Sequence, residues 1–118
     1  AEVGALMASA DWIVVPSIWW ENSPVVIQEG LAAGRPVIAP DLGGLAEKVR
    51  DHSAGLLFAP RDPQALAERL VEAQDAPLWA RLAAGLRRPP APATIAVAHL
   101  TLYRSLLEAR KAPGTAAA

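Results

Sequence analysis

Two glutamates, Glu21 and Glu29, lie eight positions apart in the segment Glu21-Asn22-Ser23-Pro24-Val25-Val26-Ile27-Gln28-Glu29. An ionised carboxylate accepts hydrogen bonds and donates none, which suits it to hydroxyl-rich partners such as a ribose or a sugar. Between the two carboxylates, Ser23-Pro24 reads as a helix start: serine is a good N-cap, and proline fits the first helical position. The first amides of such a helix, those of Val25, Val26 and Ile27, have no acceptor inside it. Together with the positive end of the helix dipole they form a ready anion site. Two carboxylates beside such a site do not hold the anion; they serve hydroxyls on either side of it. A nucleoside-diphosphate sugar carries both features. Taken on spacing alone, the pair means little and reads as a loop carboxylate and a solvated helix carboxylate.

Other side chains offer less. Trp19 and Trp20 directly precede Glu21. Either ring can stack on a sugar or a base, and the pair also fits core or interface filler. His52 follows Arg50-Asp51 at a helix end, where an imidazole is favoured by the dipole. Neither His52 nor His99 has a second ligand at metal-binding spacing, so no metal and no cofactor are expected. The sequence has no Cys, which excludes disulfides and thiol nucleophiles. No Gly-x-Ser-x-Gly elbow and no Walker-type phosphate loop is present.

The elements that must position these residues follow from apolar spacing. Val3, Leu6 and Met7 give a short helix with one apolar face. Trp12-Ile13-Val14-Val15 is a continuous apolar run, mostly β-branched, which suits a strand buried on both faces of a parallel sheet. A helix from Ser23-Pro24 stops at Gly34. A second strand covers Pro36-Val37-Ile38-Ala39, with proline at its first residue. A third helix starts at Gly43-Gly44, with Leu45, Ala46 and Val49 inward and Gly55 beyond its end. The third strand is Gly55-Leu56-Leu57-Phe58. Asp62-Pro63 caps a fourth helix bearing Leu66, Leu70 and Ala73, and Asp75 opens a fifth with Leu78, Leu82 and Leu86 facing in. Pro89-Pro90-Ala91-Pro92 is a stiff connector. Thr94 caps a last helix to about Arg110, with Leu100, Tyr103 and Leu107 on one packing face. The expected organisation is a domain over residues 1–88, a connector over 89–93, a helix over 94–111 and a tail over 112–118. Strands alternating with helices imply right-handed βαβ units. Three parallel strands make half of a doubly wound α/β sheet, with helices on both faces and further helices at the C-terminus.

Bulk properties agree. With 118 residues the chain forms at most one modest domain. Eleven basic and twelve acidic side chains give a net charge of −1. The only adjacent basic residues are Arg87-Arg88 and Arg110-Lys111, so a nucleic-acid surface is not expected. No run of about 18 strongly apolar residues appears. The opening AEVGALMASAD lacks a basic region and an initiator Met, so it is no signal peptide, and the chain reads as a piece of something longer. The expected location is the cytoplasm, with a membrane-peripheral parent as a variant of that expectation.

The stretch from Ala10 to Phe58 resembles the donor-binding half of a family 4 type, retaining glycosyltransferase of GT-B fold (glycosyl transferases group 1). The blocks that carry the resemblance are ADWIVVPS, ENSPVVIQEGLAAGRPVIA, DLGGLAEKV, GLLF and, beyond that stretch, DPQALAERL. Their order and spacing over about half the chain make the match specific. Glu21 and Glu29 correspond to the family's Glu-x7-Glu motif. The resemblance implies that Glu29 accepts from the ribose hydroxyls of the nucleotide and that Glu21, the residue assigned to catalysis, contacts the donor sugar. It also implies that backbone amides between them approach the diphosphate or sugar. The family often has Gly-Phe-Gly after the first glutamate, where this chain has Asn22-Ser23-Pro24. Proline cannot donate, which leaves Val25 and Val26 as the amide donors, with Asn22 and Ser23 side chains as substitutes and the sugar left open. Gly43 and Gly44 match a loop that borders the donor pocket, and they read equally as a simple turn.

The resemblance further implies partners. These are a nucleotide-sugar donor and an N-terminal portion carrying the acceptor site, the basic phosphate-gripping pair and the rest of the sheet. Alone, the chain is expected to transfer no sugar. The outer edge of the strand at Trp12–Val15 is expected to be unpaired and apolar, and to support a homodimer. Two alternatives remain: a non-catalytic assembly module, and a fragment of a nucleotide-sugar epimerase of the same architecture.

Overall fold

The computed structural model describes residues 2–111. Chain order is α1 (Glu2–Ser9), β1 (Ile13–Val14), α2 (Val25–Ala32), β2 (Val37–Pro40), α3 (Gly43–Asp51), β3 (Gly55–Phe58), α4 (Pro63–Glu72), α5 (Ala76–Gly85) and α6 (Pro92–Lys111). The strands form one parallel sheet in the order β1-β2-β3. Ile13 pairs with Val37, and Val37 with Gly55. The α/β alternation and parallel pairing expected from the sequence are therefore present.

Two apolar layers sandwich the sheet. Ile27 and Leu31 of α2 and Leu45 and Val49 of α3 pack with Val15, Val37 and Ala39 on one face. On the other, Leu78 of α5 joins Ile38, Leu56 and Phe58. The central strand β2 is buried along its whole length, which is why it reads as a continuous apolar run. Gly55 approaches β2 so closely that a Cβ there would lie 1.7 Å from the Val37 carbonyl oxygen. This glycine starts β3 rather than ending α3. The left-handed turn after α3 is made by Ser53, at φ 49°.

Several boundaries differ from expectation, each for a local reason. The β1 ladder has two residues, not four, and Val14 is exposed, because among the described residues no strand pairs with that edge. Pro24, not Ser23, is the N-cap of α2: its ψ of 112° keeps it extended, outside the helix. Leu86 is the C-cap of α5, although it still packs against the core. Leu70 of α4 and Val3 and Leu6 of α1 are exposed rather than inward.

The last helix departs most. It begins at Pro92, two residues before Thr94, so the connector is shorter than expected. Leu100, Tyr103 and Leu107 do share a face but are each more than half exposed. The result is elongated, 67 × 29 × 25 Å. The expected tail at 112–118 lies outside the described residues. No helix among the described residues is long and apolar enough to cross a membrane.

Candidate functional site

The carboxyl ends of β1 and β2 lead into α2 and α3, and the two helix starts sit side by side. The loop between β1 and α2 carries Glu21, Asn22 and Ser23, all exposed. Its far end is tied to α2 by Gln28, whose side-chain amide donates to the Ser23 hydroxyl at 2.9 Å. Glu29 lies one and a half turns into α2. Ile27, Gly30 and Leu31 bury the inner face of that helix, so 100° per residue turns Glu29 and Val25 to the solvent side.

The start of α2 is open. Pro24 offers no side-chain cap. Among the described residues the amides of Val25, Val26 and Ile27 meet no acceptor. The start of α3 is closed. Its N-cap is Leu42, also without a side-chain cap. The amide of Gly44 instead donates to the main-chain carbonyl of Glu21 at 3.1 Å. A Cβ on Gly44 would lie 2.3 Å from the Asn22 carbonyl oxygen and 2.4 Å from that of Glu21. Gly43 has φ 44°, and a Cβ there would meet the Trp20 ring at 2.7 Å. The glycine pair thus seats the backbone of the Glu21 loop. The signal in the sequence was the pair itself, placed where a strand turns directly into a helix.

Glu29 lines a hollow of about 400 Å³ with Gln28, Arg88 and the proline connector, and a second of about 340 Å³ with Gly4, Ala32 and Ala33. Glu21 lines neither. Another hollow, of about 590 Å³, lies between β1 and the α4–α5 turn, under Trp12 and Trp79. Trp19 and Trp20 are 73% and 80% exposed, so they are not core. His52 caps the end of α3 and its Nδ1 meets the Arg87 carbonyl. His99 stays on α6, its Nδ1 2.8 Å from the Ile95 carbonyl. No group of three potential metal ligands occurs among the described residues.

Comparison with known proteins adds an independent line. Residues 1–75 match the family model described as glycosyl transferases group 1. The chain is 42% identical over 67 residues to a phosphatidyl-myo-inositol mannosyltransferase of Mycobacterium leprae, covering 57% of this chain and 18% of that protein. It is 40% identical over 88 residues to a D-inositol 3-phosphate glycosyltransferase of Salinispora arenicola, covering 74% and 19%. Among solved structures, it superposes on a sucrose-phosphate synthase from Thermosynechococcus elongatus with a TM-score of 0.72 and 33% identity, over 92% of this chain and 28% of that one. The chain spans about a fifth of the length of the curated relatives it matches.

Proposed function

The chain belongs to the group 1 glycosyl transferases, its sheet and helices forming a Rossmann-like half of the GT-B fold, and we propose that it is the donor-binding part of a cytoplasmic enzyme that moves a hexose from a nucleoside-diphosphate sugar to an acceptor with retention. One observation supports this above the others: α2 begins with open amides, with exposed Glu21 before them and exposed Glu29 after. In this reading the diphosphate docks on the amides of Val25 and Val26, where partial positive charge and N–H donors coincide. Glu29 accepts from the ribose hydroxyls. Glu21 faces the sugar, with Asn22 and Ser23 as polar neighbours. The protein's contribution to the chemistry is to stabilise the departing phosphate with positioned donors.

The rest of the site belongs to an N-terminal portion, so the isolated chain transfers no sugar. It binds donor with a Kd of about 1 mM, because few contacts remain to offset the cost of association. Calorimetry checks this, and micromolar affinity of the isolated chain contradicts it. In the intact enzyme, Glu29→Ala is the deciding variant. Loss of donor affinity and turnover supports the proposal; unchanged kinetics overturn it.

A second reading, self-assembly, draws on β1, which among the described residues pairs on one side only and leaves Val14 exposed. An open edge is a template for another strand, and two such edges make a homodimer. Light scattering that gives only the 12.4 kDa monomer at high concentration removes this reading.

A further inference from the structure

We propose that Gly44 is a positioning residue for Glu21: its amide and its lack of a side chain clamp the loop that carries the carboxylate. The inference rests on the donor-site reading above and deepens it, since it assigns Gly44 a part that involves no contact with donor.

The loop from Pro16 to Ser23 has little to hold it. Trp19, Trp20, Glu21, Asn22 and Ser23 are all exposed. Within the loop, the Trp19 amide reaches only the Ser17 hydroxyl, at 3.3 Å. Among the described residues, one main-chain hydrogen bond joins this loop to α3, and it runs from Gly44 N–H to the Glu21 carbonyl. The bond serves the helix as well. The amides of Leu45 and Ala46 turn back to the Leu42 carbonyl at 3.1 and 3.3 Å, and without Glu21 the buried Gly44 amide would be an orphan. Loop and helix therefore satisfy each other.

The steric side points the same way. The Cβ position on Gly44 is blocked by two main-chain carbonyls, which cannot rotate aside as a side chain can. Behind Gly44, α3 is anchored by Leu45 and Ala46, exposed by no more than 1%. An added methyl group thus displaces the loop rather than the helix. Relieving a 2.3 Å approach to ordinary contact requires a shift of about 1 Å. A misplacement of that size at a reacting group can cost about 100-fold in rate.

The test is a double-mutant cycle in the intact enzyme with Gly44→Ala and Glu21→Ala, with Gly85→Ala as control because nothing lies within 4 Å of a Cβ there. Gly44→Ala is expected to lower kcat about 100-fold and to raise donor KM less than threefold, since Glu29 and the α2 amides are undisturbed. In the Glu21→Ala background the same substitution is expected to cost less than threefold, because the group it positions is already gone. A full 100-fold loss in that background, or no loss in the wild-type one, overturns the inference. Glu21→Ala with unchanged turnover instead overturns the functional reading beneath it. Should Gly44→Ala fail to fold, hydrogen exchange on the unmodified chain decides. A protected Gly44 amide supports the clamp, and exchange as fast as that of the open α2 amides overturns it.

Discussion

The starts of α2 and α3 share their chemistry and differ in use. Each follows the carboxyl end of a strand, each has an extended apolar N-cap residue without a side-chain cap, Pro24 or Leu42, and each stands on fully buried aliphatics. At α3 the second amide is taken by a carbonyl of the neighbouring loop; at α2 the first three meet nothing in the described chain. An uncapped helix start is therefore not a binding site in itself. What the adjoining loop does with the amides decides, and here one loop closes one start while presenting Glu21 beside the other.

Substitutions beneath the two helices have the largest expected effect and test whether the anchoring is equivalent. Ile27 and Leu45 are both 0% exposed. Ile27→Ala and Leu45→Ala are each expected to destabilise the chain by about 2–5 kcal/mol, read by denaturant unfolding. A cost below about 1 kcal/mol at either position would mean that its helix is loosely seated and that the comparison is between unlike supports.

Next in size is the effect of the carboxylates at matching positions. Glu29 is the fifth residue of α2 and Glu47 the fifth of α3, and both are exposed. If Glu29 accepts from the ribose hydroxyls as proposed, Glu29→Ala in the intact enzyme is expected to cost about 2–3 kcal/mol, or roughly 100-fold in kcat/KM for donor. Glu47→Ala, beside a closed start, should leave kcat/KM within about threefold. Equal losses at both positions would erase the distinction.

A third kind of start sharpens the contrast at a smaller scale. α4 is capped by its own side chain: Asp62 accepts from the Ala65 amide at 3.0 Å. Asp62→Ala is expected to cost about 1 kcal/mol, a fall in Tm of roughly 4–8 °C, without changing donor binding. The sequence displays this cap openly, as Asp-Pro ahead of a helical repeat. It also displays the buried central strand, the inward residues of α3 and the Glu-x7-Glu spacing, because side-chain type and period encode each of them locally. At the closed start of α3 the Gly43-Gly44 pair signals a close approach, but the partner was not legible. The closure depends on a main-chain carbonyl 23 positions earlier, and no side chain signals a backbone acceptor. The exposed face of α6 was misjudged for a related reason, whereas the open apolar edge of β1 was expected. Apolar periodicity says that a face is to be covered, not that its cover lies in the same chain, and Leu100, Tyr103 and Leu107 are exposed here.

The smallest expected effect bears most directly on the open start of α2. Pro24→Ser would convert it into the α4 kind. A serine hydroxyl at the N-cap accepts from the second or third helical amide, which here are those of Val26 and Ile27. The cap contributes about 1 kcal/mol, while loss of the buried proline ring and of its restriction on the unfolded chain removes a similar amount. Net stability should therefore move by less than about 1 kcal/mol, and the informative readout is ligand binding. If phosphate oxygens use these amides, the new hydroxyl competes with them, and the Kd of a nucleoside diphosphate for the intact enzyme should rise about 3–10-fold, the equivalent of one partly lost hydrogen bond. Unchanged affinity in a well-folded Pro24→Ser enzyme would show that the diphosphate does not need an open helix start. Glu21 and Glu29 would then flank some other part of the ligand.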